Sequence, residues 1–200
     1  MDDEQTLCFY ANEAQAYAAR YAEAHSRSLD RFLATLSASA RILELGCGGG
    51  RDSAAMIELG FDAVATDGSP QMAAEASKRL GRPVRTLLFG ELDEIAEYDG
   101  VWANACLLHV PFAHLPDIIR RIHCALRPGG SFYANYKTGR AEGRDKFGRY
   151  YNNPTEAALL TCYAEAADWG AIEIDSSTGL GYDDQPTDWL AIFAKRNSNV

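Results

Sequence analysis

Three things are scarce in this chain, and each scarcity closes off a class of protein. Its 200 residues contain five cysteines, Cys8, Cys47, Cys106, Cys124 and Cys162. They are odd in number, widely spread and without a C-x-x-C pair, so neither a disulfide framework nor a zinc site is written here. The histidines show no metal-ligand spacing either, and no metal is expected. Positive charge is short: 19 Lys and Arg against 28 Asp and Glu leave a net charge of −9. Such a surface repels polyanions, because Lys and Arg contacts to phosphate supply most non-specific affinity for nucleic acid. DNA or RNA is therefore not the expected substrate. No apolar run approaches the ~20 residues of a membrane span, and the opening Met1-Asp-Asp-Glu4 is the reverse of a signal peptide's basic start. The expectation is a cytoplasmic protein with reduced thiols; nothing specifies its oligomeric state.

What the chain does contain is alternation. Strand-like segments at 41–45, 62–66, 84–89, 100–105 and 131–136 alternate with helix-like ones at 50–59, 70–80 and 115–125, the pattern of a parallel sheet. Pro128 and Gly129-Gly130 stop the helix before the fifth strand. An alanine-rich stretch precedes all of this, with Tyr10, Tyr17, Tyr21, Phe32 and Leu36 at helical intervals; it predicts two helices broken near 25–28, a helical cap over residues 1–38. After a helix at 154–168 come two strands, 171–177 and 189–195, with no helix between them, so that pair must be antiparallel. The length suits one domain, 1–200, able to fold without staples.

The densest signal is the join between the first strand and its helix, Glu44-Leu-Gly46-Cys-Gly48-Gly-Gly50-Arg51, followed about twenty residues later by Asp67 at the tip of the second strand. Glycine is needed where a chain turns sharply and lets a ligand touch the backbone, and an acid at the next strand tip is placed to accept ribose hydroxyls. The dinucleotide fingerprint G-x-G-x-x-G fails, because Arg51 stands where its third glycine belongs. The pattern instead resembles the class I S-adenosylmethionine (AdoMet)-dependent methyltransferases, whose first motif reads acid-x-Gly-x-Gly-x-Gly. Within that class Gly50-Arg51-Asp52-Ser53 is similar to the small tellurite-resistance and thiopurine methyltransferases.

The resemblance implies an α/β, Rossmann-like, seven-stranded sheet, mostly parallel with its last strand antiparallel, helices on both faces, and the N-terminal helices capping the site. It also implies AdoMet as cofactor and S-adenosylhomocysteine as product. Carried over residue by residue, Gly46, Cys47 and Gly48 lie against the methionine part and the ribose, and Asp67 with Gly68 holds the ribose. Ser69 stands either beside the cofactor or as the cap of the next helix, and Met72 either over the adenine or in the core. The third strand ends in Phe89-Gly90-Glu91 where relatives carry an acid for the adenine amino group, so backbone at Phe89 and Gly90, or Glu91 displaced, is left for that edge. Asn104 and Ala105 close the fourth strand under the methionine end. Arg51 faces the cofactor carboxylate, since a cation otherwise sits badly at a helix N-terminus. Tyr17 closes the site from above, with Tyr10 and Tyr21 as competing choices.

His109, just past the fourth strand, is the imidazole nearest the expected reaction centre; it either serves the methyl acceptor or binds a nearby loop carbonyl. The segment 138–153 is too long for a bare connection of ~2 to 6 residues and reads as a lid loop. Its Arg149, Tyr150 and Tyr151 are candidates for substrate contact, with Arg144 and Lys146 behind them. Their charge points to a small anionic acceptor. Asp183-Asp184 and Asp188-Trp189 are available as an opposite wall. Competing functions are an AdoMet-binding sensor or partner subunit without catalysis, and a nicotinamide-dependent reductase.

Overall fold

A computed structural model describes residues 3–20 and 26–198; Tyr21 and His25 lie outside the described residues. Helix α1 spans Glu4–Arg20 and α2 Arg27–Leu33. Then follow β1 (Arg41–Glu44), α3 (Arg51–Glu58), β2 (Asp62–Asp67), α4 (Pro70–Leu80), β3 (Arg85–Thr86), β4 (Tyr98–Ala103), α5 (Leu115–Ala125) and β5 (Leu126–Thr138). A short hairpin, β6 (Gly143–Arg144) with β7 (Tyr150–Tyr151), precedes α6 (Glu156–Ala166), β8 (Trp169–Leu180) and β9 (Pro186–Arg196). Seven strands form one sheet in the order β3-β2-β1-β4-β5-β9-β8. Neighbours from β3 to β5 pair in parallel, whereas β9 runs antiparallel to both β5 and β8. The expected sheet is the observed one.

Strand alternation divides the core. Ile42, Ala63, Trp102 and Tyr133 face α2 and α3, while their neighbours Leu43, Val101, Phe132 and Ala134 face α5 and α6. On the first face the Trp102 and Tyr133 rings stack at 4.0 Å. On the second, α5 contributes Leu115, Ile118, Ile119 and Ile122, one stripe at helical spacing. Both faces are closed, and the strand tips where α1 crosses are left for a ligand.

Two expectations need correction. The third strand is two residues long, because Phe89–Glu91 turns into a 3-10 helix. The predicted loop at 138–153 is not wholly irregular: β5 continues to Thr138, and a short hairpin pairs Gly143–Arg144 with Tyr150–Tyr151. Its turn is organised by Asp145, whose carboxylate accepts from the backbone N–H groups of Phe147 (2.9 Å) and Arg149 (3.0 Å). Strands of two residues carry no periodicity to read.

Because β9 is the strand that binds both β5 and β8, truncating its buried Ile192 to alanine is expected to cost about 2–5 kcal/mol of stability in urea unfolding. A loss under about 1 kcal/mol would mean the edge pair is loosely attached.

Candidate active site

The site is built where β1 ends. Gly46 and Gly48 both have positive φ, 62° and 56°. A Cβ on Gly46 would lie 2.5 Å from the Cβ of Cys106, and one on Gly48 would project between Met72 and Tyr17, 3.6 Å from each. The chain therefore turns with no room for side chains on one side and an open cleft on the other. Asp67 locks the turn: its Oδ2 accepts from Gly48 N–H at 2.9 Å and its Oδ1 from Ser69 N–H at 2.8 Å. Burial pushes its pKa up to about 6.

Two connected chambers open from this turn. The first is lined by Asp67, Gly68, Met72, Leu87, Phe89 and Val110. The second runs from Arg51 and Asp52 past Asn135 to Lys137, Arg149 and Trp189. Gly46, Gly48, Asn104, Ala105, Tyr10, Tyr17 and His109 border both. Ala105 has φ 53°, an uncommon conformation for a residue with a Cβ; its N–H donates to Asn135 Oδ1.

The acids at the glycine end are internally satisfied. Asp52 accepts from Trp102 Nε1 and Asn104 Nδ2, both at 3.0 Å, from Ser26 N–H and from Arg51 Nε at 3.1 Å. With its amide nitrogen so held, Asn104 keeps its oxygen available. Glu44 accepts from the Ser53 hydroxyl, and burial, reinforced by the Asp52 charge, raises its pKa well above the carboxylate range. The Asp52 and Ser53 that suggested a tellurite-resistance or thiopurine subtype thus serve the scaffold.

His109 lies at the junction of the chambers. Its Nδ1–H donates to the Tyr150 carbonyl at 2.6 Å, since a carbonyl only accepts, so Nε2 accepts from the Tyr10 hydroxyl at 2.9 Å. Burial holds its pKa down to about 3. Of the alternatives for His109, the loop carbonyl contact is observed, and its other nitrogen is bound to Tyr10 at the border of both chambers. Arg149 is 2 % exposed, pairs with Asp145 at 2.7 Å and donates to Tyr10 at 3.4 Å. The rings of Phe9, Tyr10, Phe147, Tyr151 and Tyr182 surround its guanidinium, the nearest centroid 4.6 Å away.

The roof is strapped to the sheet. Asp3 caps α1 through Thr6 N–H (2.8 Å) and pairs with Arg144 (2.6 Å). The Thr6 hydroxyl accepts from Tyr150 N–H at 2.9 Å, and Asn152 binds the carbonyls of Leu107 and Val110 at 3.0 Å each, around the turn that carries His109. Tyr182 stacks on Tyr17 at 5.6 Å, and Asp184 pairs with Arg20 at 2.6 Å.

Several expected residues sit elsewhere. The Tyr150 hydroxyl bonds Glu142, and its ring is not part of either chamber's lining; the residue contributes its carbonyl instead. Ser69 caps α4, accepting from Met72 N–H at 3.3 Å. Glu91 turns back to Leu88 N–H at 3.0 Å, and Gly90 stays behind Phe89 in the 3-10 turn. Asp183 and Asp184 face Lys146 and Arg20 on the roof; they latch loops and form no wall. Tyr182, Asn135 and Lys137 are lining residues that no motif marked.

Comparison with known proteins assigns the chain to a family. A family profile described as "Methyltransferase domain" matches residues 16–165, from α1 through the glycine turn to α6. The chain belongs to the class I AdoMet-dependent methyltransferases. It is 30% identical over 134 residues to the malonyl-[acyl-carrier protein] O-methyltransferase of Enterobacter lignolyticus, covering 64% of this chain and 52% of that one. A ubiquinone biosynthesis O-methyltransferase of Xanthomonas campestris is 32% identical over 101 residues, 47% and 41% of the two chains. The chain spans about half the length of the curated relatives it matches. Among solved structures, the 1,6-didemethyltoxoflavin-N1-methyltransferase of Burkholderia thailandensis, with 1,6-didemethyltoxoflavin and S-adenosylhomocysteine bound, superimposes with a TM-score of 0.77 at 24% identity. It covers 97% of this chain and 88% of that one.

The raised pKa of Asp67 gives the site a testable pH response. The ionised carboxylate is the better hydroxyl acceptor, and it is present above about pH 6 and lost below it. Affinity for S-adenosylhomocysteine, measured by calorimetry, is expected to be level from pH 7 to 8 and to fall as the pH drops through 6. A flat profile down to pH 5 would contradict a ribose contact at Asp67.

Proposed function

We propose that the chain transfers a methyl group from AdoMet to a small acceptor bound in the second chamber. The observation that carries this is the single cleft in which a glycine turn and buried carboxylate adjoin an aromatic chamber. The residues fit the cofactor. Gly48 leaves a space between Tyr17 and Met72 that any Cβ would fill, Asp67 offers the ribose a carboxylate with lone pairs to spare, and Leu87 and Phe89 give the adenine apolar contact with backbone for its edge. Arg51 suits a carboxylate, and the Asn104 oxygen an ammonium. When bound, AdoMet supplies a methyl carbon already made electrophilic by its sulfonium.

The chain's share of the work is alignment and exclusion of water. Tyr10, held by His109 on one side and Arg149 on the other, presents its oxygen at the boundary between the chambers, where it can orient an acceptor. His109 is a weak proton acceptor at rest, since burial holds it neutral until about pH 3. An acceptor that ionises by itself suits this site better than an alcohol or ammonium that needs a strong base. The strapped roof of α1, the β6–β7 hairpin and the Tyr182 loop acts as the lid. The relatives named for small-molecule methylation, including the toxoflavin enzyme solved with its acceptor, support the same substrate class.

A thermal unfolding series tests the reading. AdoMet and S-adenosylhomocysteine are expected to raise the midpoint, by an amount corresponding to ~2.7 kcal/mol at a hundredfold excess over Kd, and NADPH to leave it unchanged; stabilisation by NADPH alone would point to the reductase. In calorimetry with S-adenosylhomocysteine, Asp67→Ala should lose at least about a hundredfold in affinity, about 3 kcal/mol. His109→Ala, which loosens Tyr10 and leaves the glycine turn intact, should lose less than about tenfold. Equal losses would place His109 in the cofactor site.

A further inference from the structure

The second chamber holds a cation that, among the described residues, has no carboxylate within ion-pair distance. Lys137 lies near the end of β5, on the same face as Asn135, and β9 places Trp189 opposite it. Its ammonium sits 4.2 Å from the Tyr151 ring centroid and 5.7 Å from that of Trp189, at the border of the chamber. Among the described residues it makes no hydrogen bond or ion pair. The other cations along this chamber are Arg51 and Arg149, and each has a carboxylate partner, Asp52 at 3.1 Å and Asp145 at 2.7 Å. Burial and then the nearby Arg149 push the Lys137 pKa down, against the opposing charges of Asp183 and Asp145. An ammonium has three N–H donors and loses hydration among rings, so its environment favours any anion that reaches it.

The walls restrict what that anion is attached to. Tyr10, Tyr17, Tyr151, Tyr182 and Trp189 line the same space, and flat faces of this kind are matched by a flat, conjugated ring. At the opposite end the buried acids are already satisfied by Ser53, Trp102, Asn104 and Arg51, so the chamber is polarised with its unmet positive charge at Lys137. We propose that Lys137 receives an anionic oxygen group of the methyl acceptor, and that the acceptor is a small conjugated acid whose ring lies between the aromatic walls. This rests on the methyltransferase reading above, and it makes Lys137 the residue that selects for charge.

The test uses the full chain saturated with S-adenosylhomocysteine and a matched pair of probes, salicylate and its uncharged amide, salicylamide, titrated by calorimetry. Salicylate is expected to bind at least about tenfold more tightly than salicylamide, the effect of one charge-assisted contact. Lys137→Met should erase the difference and Lys137→Arg should keep most of it, with S-adenosylhomocysteine affinity in both variants within about threefold of wild type. Circular dichroism checks that both are folded; if Lys137→Met is not, Lys137→Gln takes its place. Equal binding of acid and amide, or no binding of salicylate to the loaded protein, overturns the proposal alone. So does a loss of S-adenosylhomocysteine affinity in Lys137→Met, which would assign the lysine to the cofactor. Failure of S-adenosylhomocysteine to bind the wild type brings down the methyltransferase reading and this proposal with it.

Discussion

Between β1 and α3 the backbone passes so close to Cys106 that a side chain at Gly46 has nowhere to go, and the hydrogen bond from Gly48 N–H to Asp67 closes the turn against β2. The rest of the site depends on this contact. It brings two strand tips to one point, orients the Asp67 carboxylate toward the cleft, and exposes backbone that a ligand can touch. It also sets the height of the roof, because a Cβ on the neighbouring Gly49 would lie 2.9 Å from that of Ala18, so α1 rests directly on the turn.

From that roof a second network reaches back into the sheet. Tyr10 on α1 meets His109 after β4 and Arg149 on the hairpin, and the Tyr150 carbonyl holds the far nitrogen of His109. Three segments distant in sequence thus share one set of hydrogen bonds, which fixes the tyrosine and the ring orientation of an imidazole that burial keeps neutral. Such a network is costly if partly satisfied, and here each member has its partner. The outcome is a cleft with the glycine turn and Asp67 at one end and an aromatic chamber at the other, where Arg149 is paired with Asp145 and Lys137, among the described residues, has no ion-pair partner.

Much of this was legible in the chain because it follows from local rules. Glycines 46 and 48 are demanded by left-handed backbone, Asp67 by its place at a strand tip, and the antiparallel final strand by the lack of a helix between β8 and β9. The family could be approached through Glu44 and the glycines that follow it, Arg51 where a dinucleotide fingerprint needs glycine, and the helix-free final strand pair. What escaped depends on tertiary placement. Tyr10, Tyr17 and Tyr21 share one helical spacing, and which of them meets His109 is decided by how α1 lies across the sheet. Tyr150 and Tyr151 are adjacent, so in the β7 strand their rings point opposite ways, and only the pairing with β6 says which turns inward. Lys137 was one more residue at a strand end until β9 and β7 brought Trp189 and Tyr151 beside it. Glu91 was misplaced because a 3-10 turn, invisible in the pattern, returns its carboxylate to Leu88.

The central claim is that the turn closed by Asp67 is the AdoMet site, and a crystal structure of the protein with S-adenosylhomocysteine bound addresses it most directly. The account predicts both ribose hydroxyls on the Asp67 carboxylate, the adenine between Met72 and Phe89, and the amino-acid end directed toward Arg51 and Asn104. A ligand ordered elsewhere, or one in the cleft whose ribose makes no contact with Asp67, would contradict it.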